Sequence, residues 1–94
     1  MCSYINHHIG ILSGSAKGPE GWIPVLEANV YFDHPYHAPL DHALTIDFLN
    51  PVKGAASRVA VEMDAESAKQ LAEAILNALK DGEREGMVLA ATAR

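Results

Sequence analysis

Three stretches of the chain place apolar side chains at every second position, and this alternation constrains the fold more than any other feature. Residues 25–33, 43–49 and 58–63 all follow this pattern. Their apolar members are Leu26, Ala28, Val30, Phe32, Leu44, Ile46, Phe48, Val59, Val61 and Met63. Because successive side chains of a strand point to opposite faces of a sheet, each stretch predicts a strand with one apolar face and one polar face.

The residues before and between these stretches predict one more strand and three connections. Residues 4–12 also alternate, with isoleucine or histidine at every odd position from 5 to 11. Residues 13–21 are rich in Gly, Ser and Pro and poor in apolar side chains, so we expect an irregular loop. Residues 33–42 and 50–54 contain proline, which is typical of turns between strands.

A helical periodicity follows the last predicted strand. The apolar positions are Ala68, Leu71, Ala72, Ile75 and Leu79. This spacing predicts an amphipathic helix of about four turns. Asp64 suits the N-cap of this helix, and Gly82 suits the position just beyond its end. Residues 83–94 are left as a C-terminal tail.

The order of these elements predicts an α+β fold. We expect a four-stranded antiparallel β-meander (ββββα) with one C-terminal amphipathic helix packed on one face of the sheet. A chain of 94 residues is short enough to form one domain, which we place at 1–82, followed by the tail 83–94. The semi-polar second face would meet water, a ligand or a second subunit, and we predict a homodimer.

Composition excludes several classes of function. The net charge is −5 and the seven Lys and Arg residues are scattered, which argues against a nucleic-acid-binding surface. No apolar run approaches the roughly 18 residues of a membrane-spanning helix. The single cysteine and the absence of a signal peptide favour the cytoplasm.

Residues 33–42 are the strongest candidate for a functional site, because they hold three of the five histidines and two aspartates. His34 continues the alternation of the preceding strand, and His42 begins that of the next one. Both side chains are therefore expected on the apolar side of the sheet and close to each other across the hairpin. The side chain of His37 lies within the loop, where alternation gives no direction.

The residue types of this loop favour a metal site. We predict His34, His37 and His42 as ligands of zinc or another divalent metal, because three imidazoles and an open position are typical of catalytic zinc. Further ligands or supporting groups could come from Cys2, His7, Asp33 and Asp41. No known metal-binding motif has this spacing, and an exposed turn that binds nothing would have the same composition.

Two other functions fit the same sequence. A histidine of this loop beside Asp33 or Asp41 could act as a general acid–base pair in a small enzyme. The polar sheet face and the tail could instead form a dimeric interaction module. The leading hypothesis is a small cytoplasmic protein that binds a metal or a small-molecule ligand at the His-rich hairpin, with no catalytic residue assigned.

Several strings of this sequence carry a likeness to known proteins. They are GSAKGPEGW at 14–22, YFDHP at 31–35, HAP at 37–39 and DHALTIDF at 41–48. Together they resemble a group of short actinobacterial proteins classed as a domain of unknown function. The likeness extends over roughly residues 1–82. It implies a compact, self-contained unit and brings no activity with it.

Overall fold

The computed structural model describes residues 5–54 and 57–87. They form six strands and one helix: β1 (Asn6–Gly10), β2 (Ser15–Gly18), β3 (Gly21–Pro24), β4 (Glu27–Asp33), β5 (Ala43–Leu49), β6 (Arg58–Met63) and α1 (Ala65–Arg84). Within these residues no helix has the length and apolarity needed to cross a bilayer. By contact, the chain separates into two compact units, Met1–Asp64 and Ala65–Arg94, which we describe separately.

The first unit contains the predicted sheet. Its strands lie in the order β1-β4-β5-β6 and every neighbouring pair is antiparallel, which confirms the α+β class and the four-stranded meander. The register places the predicted apolar residues on one side, here called the apolar face. Its members include Ile9, Ala28, Val30, Phe32, Leu44, Ile46, Phe48, Val59, Val61 and Met63.

The opposite side is here called the polar face. It carries Asn6, His8, Glu27, Asn29, Tyr31, Thr45, Asp47, Arg58, Ala60 and Glu62. The expected exposure of the two faces is reversed along the central strand β5, where the polar-face residues are buried and the apolar-face residues are only half-buried. Thr45 and Asp47 are 2% and 9% exposed, whereas Ile9 and Val61 on the apolar face are 53% and 38% exposed. Among the residues that the structure describes, every buried side-chain N or O atom has a hydrogen-bond partner, which offsets the cost of burying it.

The prediction of an irregular loop at 13–21 is wrong. This segment supplies β2 and the start of β3, which pair as an antiparallel hairpin. Gly18 pairs with Gly21, so the turn consists of Pro19 and Glu20. Proline presets the backbone angle for the first turn position, and Gly21 adopts a φ of 122° that disfavours a side chain. Backbone pairing holds a hairpin of this kind without an apolar alternation.

The second unit contains α1. Asp64 directly precedes its first residue, as predicted for an N-cap. No residue of α1 is buried, and Leu71, Ile75 and Leu79 on its apolar side are 39%, 51% and 52% exposed. The packing of the helix on a sheet face and the division into 1–82 and 83–94 stay predictions.

The helix ends one turn later than predicted, at Gly86 and not at Gly82. Gly86 has a φ of 76°, and its N–H donates to the carbonyl of Glu83 at 3.0 Å. The N–H of Met87 donates to the carbonyl of Gly82 at 2.8 Å. These two bonds form a Schellman cap, which needs a left-handed residue at the position of Gly86. Gly82 is tolerated inside the helix.

Candidate metal centre

The β4–β5 hairpin positions the His-rich loop. Its last paired residues are Asp33 and Ala43, so His34 and His42 stand directly beyond the ladder on opposite strands. The Asp33 carboxylate accepts a hydrogen bond of 2.7 Å from the His34 backbone N–H, which fixes the start of the loop. The end of the regular β4–β5 ladder therefore determines the backbone positions of both histidines.

The two imidazoles lie side by side, as the alternation predicted. The ring centroids of His34 and His42 are 4.6 Å apart, with an angle of 31° between the planes. The ring of His42 also stacks on Phe32 at 6.2 Å with an angle of 11°. Phe32 belongs to the apolar face, so the histidine pair lies on the same side of the sheet as that face.

Asp41 completes a three-residue group with this pair. The Nδ1 atom of His34 is 3.0 Å from the carbonyl oxygen of Asp41. Because a carbonyl only accepts, Nδ1 must carry the proton in this bond, which leaves the lone pair of neutral His34 on Nε2. One potential ligand atom from each of His34, Asp41 and His42 lies within 4.8 Å of the others.

All three residues of this group, here called the histidine–aspartate cluster, are exposed. In a tetrahedral zinc site with bonds of 2.0–2.1 Å, neighbouring ligand atoms are about 3.3 Å apart. The cluster must therefore contract before it can hold zinc. Exposed side chains at the end of a hairpin can do so by rotating about their χ angles, without moving the ladder.

His37 is not brought into this cluster. Its backbone N–H donates to Glu62 Oε1 at 3.1 Å, and the residue lines a cavity on the polar face. The third residue near the histidine pair is Asp41 and not His37, which was predicted as a ligand. Of the further candidates, His7 pairs with Val30, the middle residue of β4, and Cys2 lies outside the described residues.

Glu62 is the residue that sequence reasoning missed. Its carboxylate accepts backbone hydrogen bonds from three consecutive residues, Tyr36 at 2.5 Å, His37 at 3.1 Å and Ala38 at 2.8 Å. These bonds, with that from Ala38 first, lower the pKa of Glu62 below its ordinary value. These three hydrogen bonds connect the His-rich loop to β6. The alternation placed Glu62 on the polar face, but no local signal indicates that a loop 25 residues earlier folds onto it.

The His-rich loop and the polar face line a cavity of about 540 Å³ that is open to solvent. Its lining consists of Tyr36, His37, Ala38, Thr45, Arg58, Ala60 and Glu62. On the same face, Asp47 accepts hydrogen bonds from Arg58, which lines the cavity, at 3.0 Å and from the Tyr31 hydroxyl at 3.2 Å. Burial, and then the charge of Asp47, raise the pKa of Tyr31, so its hydroxyl stays a donor at neutral pH.

Comparison with known sequences identifies the family of the chain. The model of the Family of unknown function (DUF6295) matches residues 1–88. The chain belongs to this family. The resemblance to a family of unknown function is thereby confirmed. No curated protein and no solved structure matches the chain significantly.

Proposed function

We propose that the protein binds a divalent transition metal, zinc being the leading candidate, through His34, Asp41 and His42. The observation that supports this most directly is that one ligand atom from each residue lies within 4.8 Å of the others. Two imidazoles and a carboxylate form a ligand set that zinc accepts, with a fourth position left for water or substrate. The hydrogen bond from His34 Nδ1 to a backbone carbonyl is the kind of outer contact that orients a metal-binding imidazole.

An acid–base role receives less support from the same residues. The Nδ1 atom of His42 is 3.7 Å from Asp41 Oδ2, which is too long for a hydrogen bond. The two side chains are 50% and 94% exposed, so water competes for both groups. A carboxylate fixes the tautomer of a catalytic histidine through a hydrogen bond, and these two side chains do not form one in the structure. We therefore place metal binding first.

Metal titration of untagged, chelator-treated protein tests the proposal. We expect one equivalent of zinc, measured calorimetrically, and a visible spectrum of tetrahedral type with Co²⁺. His34→Ala and His42→Ala should each abolish stoichiometric binding. Binding should also weaken as the pH falls, because metal ligands bind in their deprotonated form.

His37→Ala is the matched control, because it removes an imidazole of the same loop that lies outside the cluster. It should bind zinc as the unchanged protein does. Loss of binding in His37→Ala alone would favour the three-histidine set over the cluster with Asp41. An unchanged protein that takes up no zinc, and whose melting temperature does not respond to added zinc, refutes the proposal.

Three further features of the protein are proposed on composition and shape. We infer a cytoplasmic location, because the single cysteine suits a reducing compartment. We infer a homodimer, because a short chain with exposed apolar side chains gains buried area from a second copy. A small-molecule ligand would fit the cavity of about 540 Å³ beside the His-rich loop.

A further inference from the structure

Strand β1 forms an open edge of the four-stranded sheet. It pairs with β4 on one side and ends the strand order on the other. All five of its residues, from Asn6 to Gly10, are exposed. Within the described residues, this strand therefore offers a continuous backbone edge to a partner.

The hydrogen bonds on either side of β1 show which groups point outwards. The Ile11 N–H donates to the carbonyl of Leu26 at 2.8 Å, and the carbonyl of Ile5 accepts from Phe32 at 3.3 Å. In an antiparallel ladder, residues that face the partner strand alternate with residues that face away. The odd residues from 5 to 11 therefore face β4. The N–H and C=O groups of Asn6, His8 and Gly10 point away from it.

Natural sheets usually protect such an edge with proline, lysine, a bulge or an inward-pointing charge. Residues 5–12 contain no proline and no Asp, Glu, Lys or Arg. The opposite edge strand, β6, differs because it carries Arg58 and Glu62. Residues 5–12 therefore lack the charged residues and prolines that usually prevent a further strand from pairing with an edge. We take this as an indication that another strand pairs with β1.

The sequence of β1 is suited to pairing with itself. When two copies run antiparallel about a two-fold axis at His8, the even residues of one copy face the even residues of the other, so their outward N–H and C=O groups can bond. On the apolar face, Ile5 then lies opposite Ile11 of the second copy, and Ile9 lies opposite His7. Ile5 and Ile9 are 56% and 53% exposed, so both gain burial.

We propose that β1 is a homodimerisation edge, on which the β1 strand of a second copy pairs antiparallel about a two-fold axis at His8. The two sheets then form one eight-stranded sheet with the apolar faces on the same side. This deepens the homodimer proposed above by naming its surface, and it is independent of metal binding. The contact is short, so the dimer should dissociate at micromolar concentrations.

Amide hydrogen exchange at rising protein concentration tests this surface directly. The amides of Asn6, His8 and Gly10 should become protected as the mass rises from 10.1 kDa towards twice that value. The amides of His7 and Ile9 serve as internal controls, because β4 protects them at every concentration. Protein that stays monomeric from about 5 to about 500 µM overturns the proposal. A dimer without protection at the three even positions overturns this edge but leaves a homodimer through another surface.

His8→Pro separates the edge from the rest of the fold. It removes an outward N–H that β4 does not use, and proline is tolerated where an edge N–H faces solvent. We expect the dimer dissociation constant to rise about tenfold or more, since two hydrogen bonds across the axis are lost. His8→Ala is the matched control, because it removes the bond of 2.7 Å from the ring to Asn29 but keeps the N–H.

A dimer of unchanged affinity in folded His8→Pro contradicts the proposal. Equal weakening in His8→Ala and His8→Pro also contradicts it, because the side chain would then be responsible. Circular dichroism verifies that each variant is folded. Should His8→Pro not fold, Ile9→Lys takes its place, since it puts a charge on an exposed side chain at the same edge. It should yield folded monomer, and a dimer of wild-type affinity would count against the edge.

Discussion

Along the central strand β5, the two faces of the sheet reverse the usual relation between polarity and burial. On the polar face, the side chain of Asp47 is 13% exposed and is bonded to both Arg58 and Tyr31. On the apolar face, Val61 and Ile9 of the edge strands remain 38% and 53% exposed. The comparison shows that the polar face is stabilised by specific hydrogen bonds, those from Arg58 and Tyr31 to Asp47. The apolar face still has area that burial could stabilise further.

In the network of Asp47, Arg58 and Tyr31, the two donors keep their protons and the carboxylate accepts from both. The hydrogen bond to Asp47, followed by the charge of that carboxylate, raises the pKa of Arg58. Burial and Asp47 raise the pKa of Tyr31 in the same direction. A charged guanidinium and a neutral phenol are both donors, and Asp47 accepts from both. Removing the Asp47 carboxylate should therefore lower the free energy of unfolding more than the other two substitutions described below.

Asp47→Ala tests whether the polar face depends on its network. We expect a loss of about 2 kcal/mol in the free energy of unfolding, because the half-buried Tyr31 and the Arg58 guanidinium lose their common acceptor, the buried Asp47. Asp81→Ala is the matched control, since Asp81 pairs with Arg84 at 2.7 Å on the exposed helix surface. It should cost less than about 0.5 kcal/mol. Equal losses in urea denaturation would mean that burial of the polar face has no energetic consequence.

Glu62→Gln tests the fastening of the loop to the polar face. An amide offers one acceptor where the carboxylate offers two, so the three N–H groups cannot all be satisfied. We expect a smaller loss of stability than in Asp47→Ala, together with faster exchange of the Tyr36, His37 and Ala38 amides. Glu73→Gln on the helix is the control and should leave these amides unchanged.

The same variant has a defined pH dependence. The pKa of Glu62 is lowered in the folded state, so its stabilising contribution is complete above the ordinary value of 4.5. The contribution disappears as the pH falls through the lowered pKa. The melting temperatures of the unchanged protein and Glu62→Gln should therefore differ at pH 7 and approach each other as the pH falls further and further below 4.5. A difference that stays constant across this range would show that the carboxylate charge has no part in holding the loop.

Val61→Thr should have the smallest effect of the three. The two side chains have similar shapes, and Val61 is already 38% exposed, so the added hydroxyl keeps access to water. We expect a change within about 0.5 kcal/mol in the free energy of unfolding. A loss of about 2 kcal/mol or more would break the comparison, because it would mean that the apolar face is covered in solution.

The chain pattern predicted the main sheet well, because alternation is a local signal that strand geometry imposes directly. It also placed His34 and His42 together, since both continue the alternation of strands that pair with each other. It missed the β2–β3 hairpin, which is held by backbone pairing around Pro19 and Glu20. It also placed the helix end at Gly82, although only the cap geometry selects Gly86.

The sequence by itself determined which residues share a face of the sheet and which end of one hairpin carries the histidines. Both follow from the two-residue period of a strand, which every residue obeys locally. Only the tertiary structure decided that Asp41 lies beside the histidine pair, that Glu62 holds the loop and that Asp47 is buried. Each of these contacts depends either on the conformation of a loop or on residues that are far apart in the chain. The two-residue alternation of a strand carries no information about either.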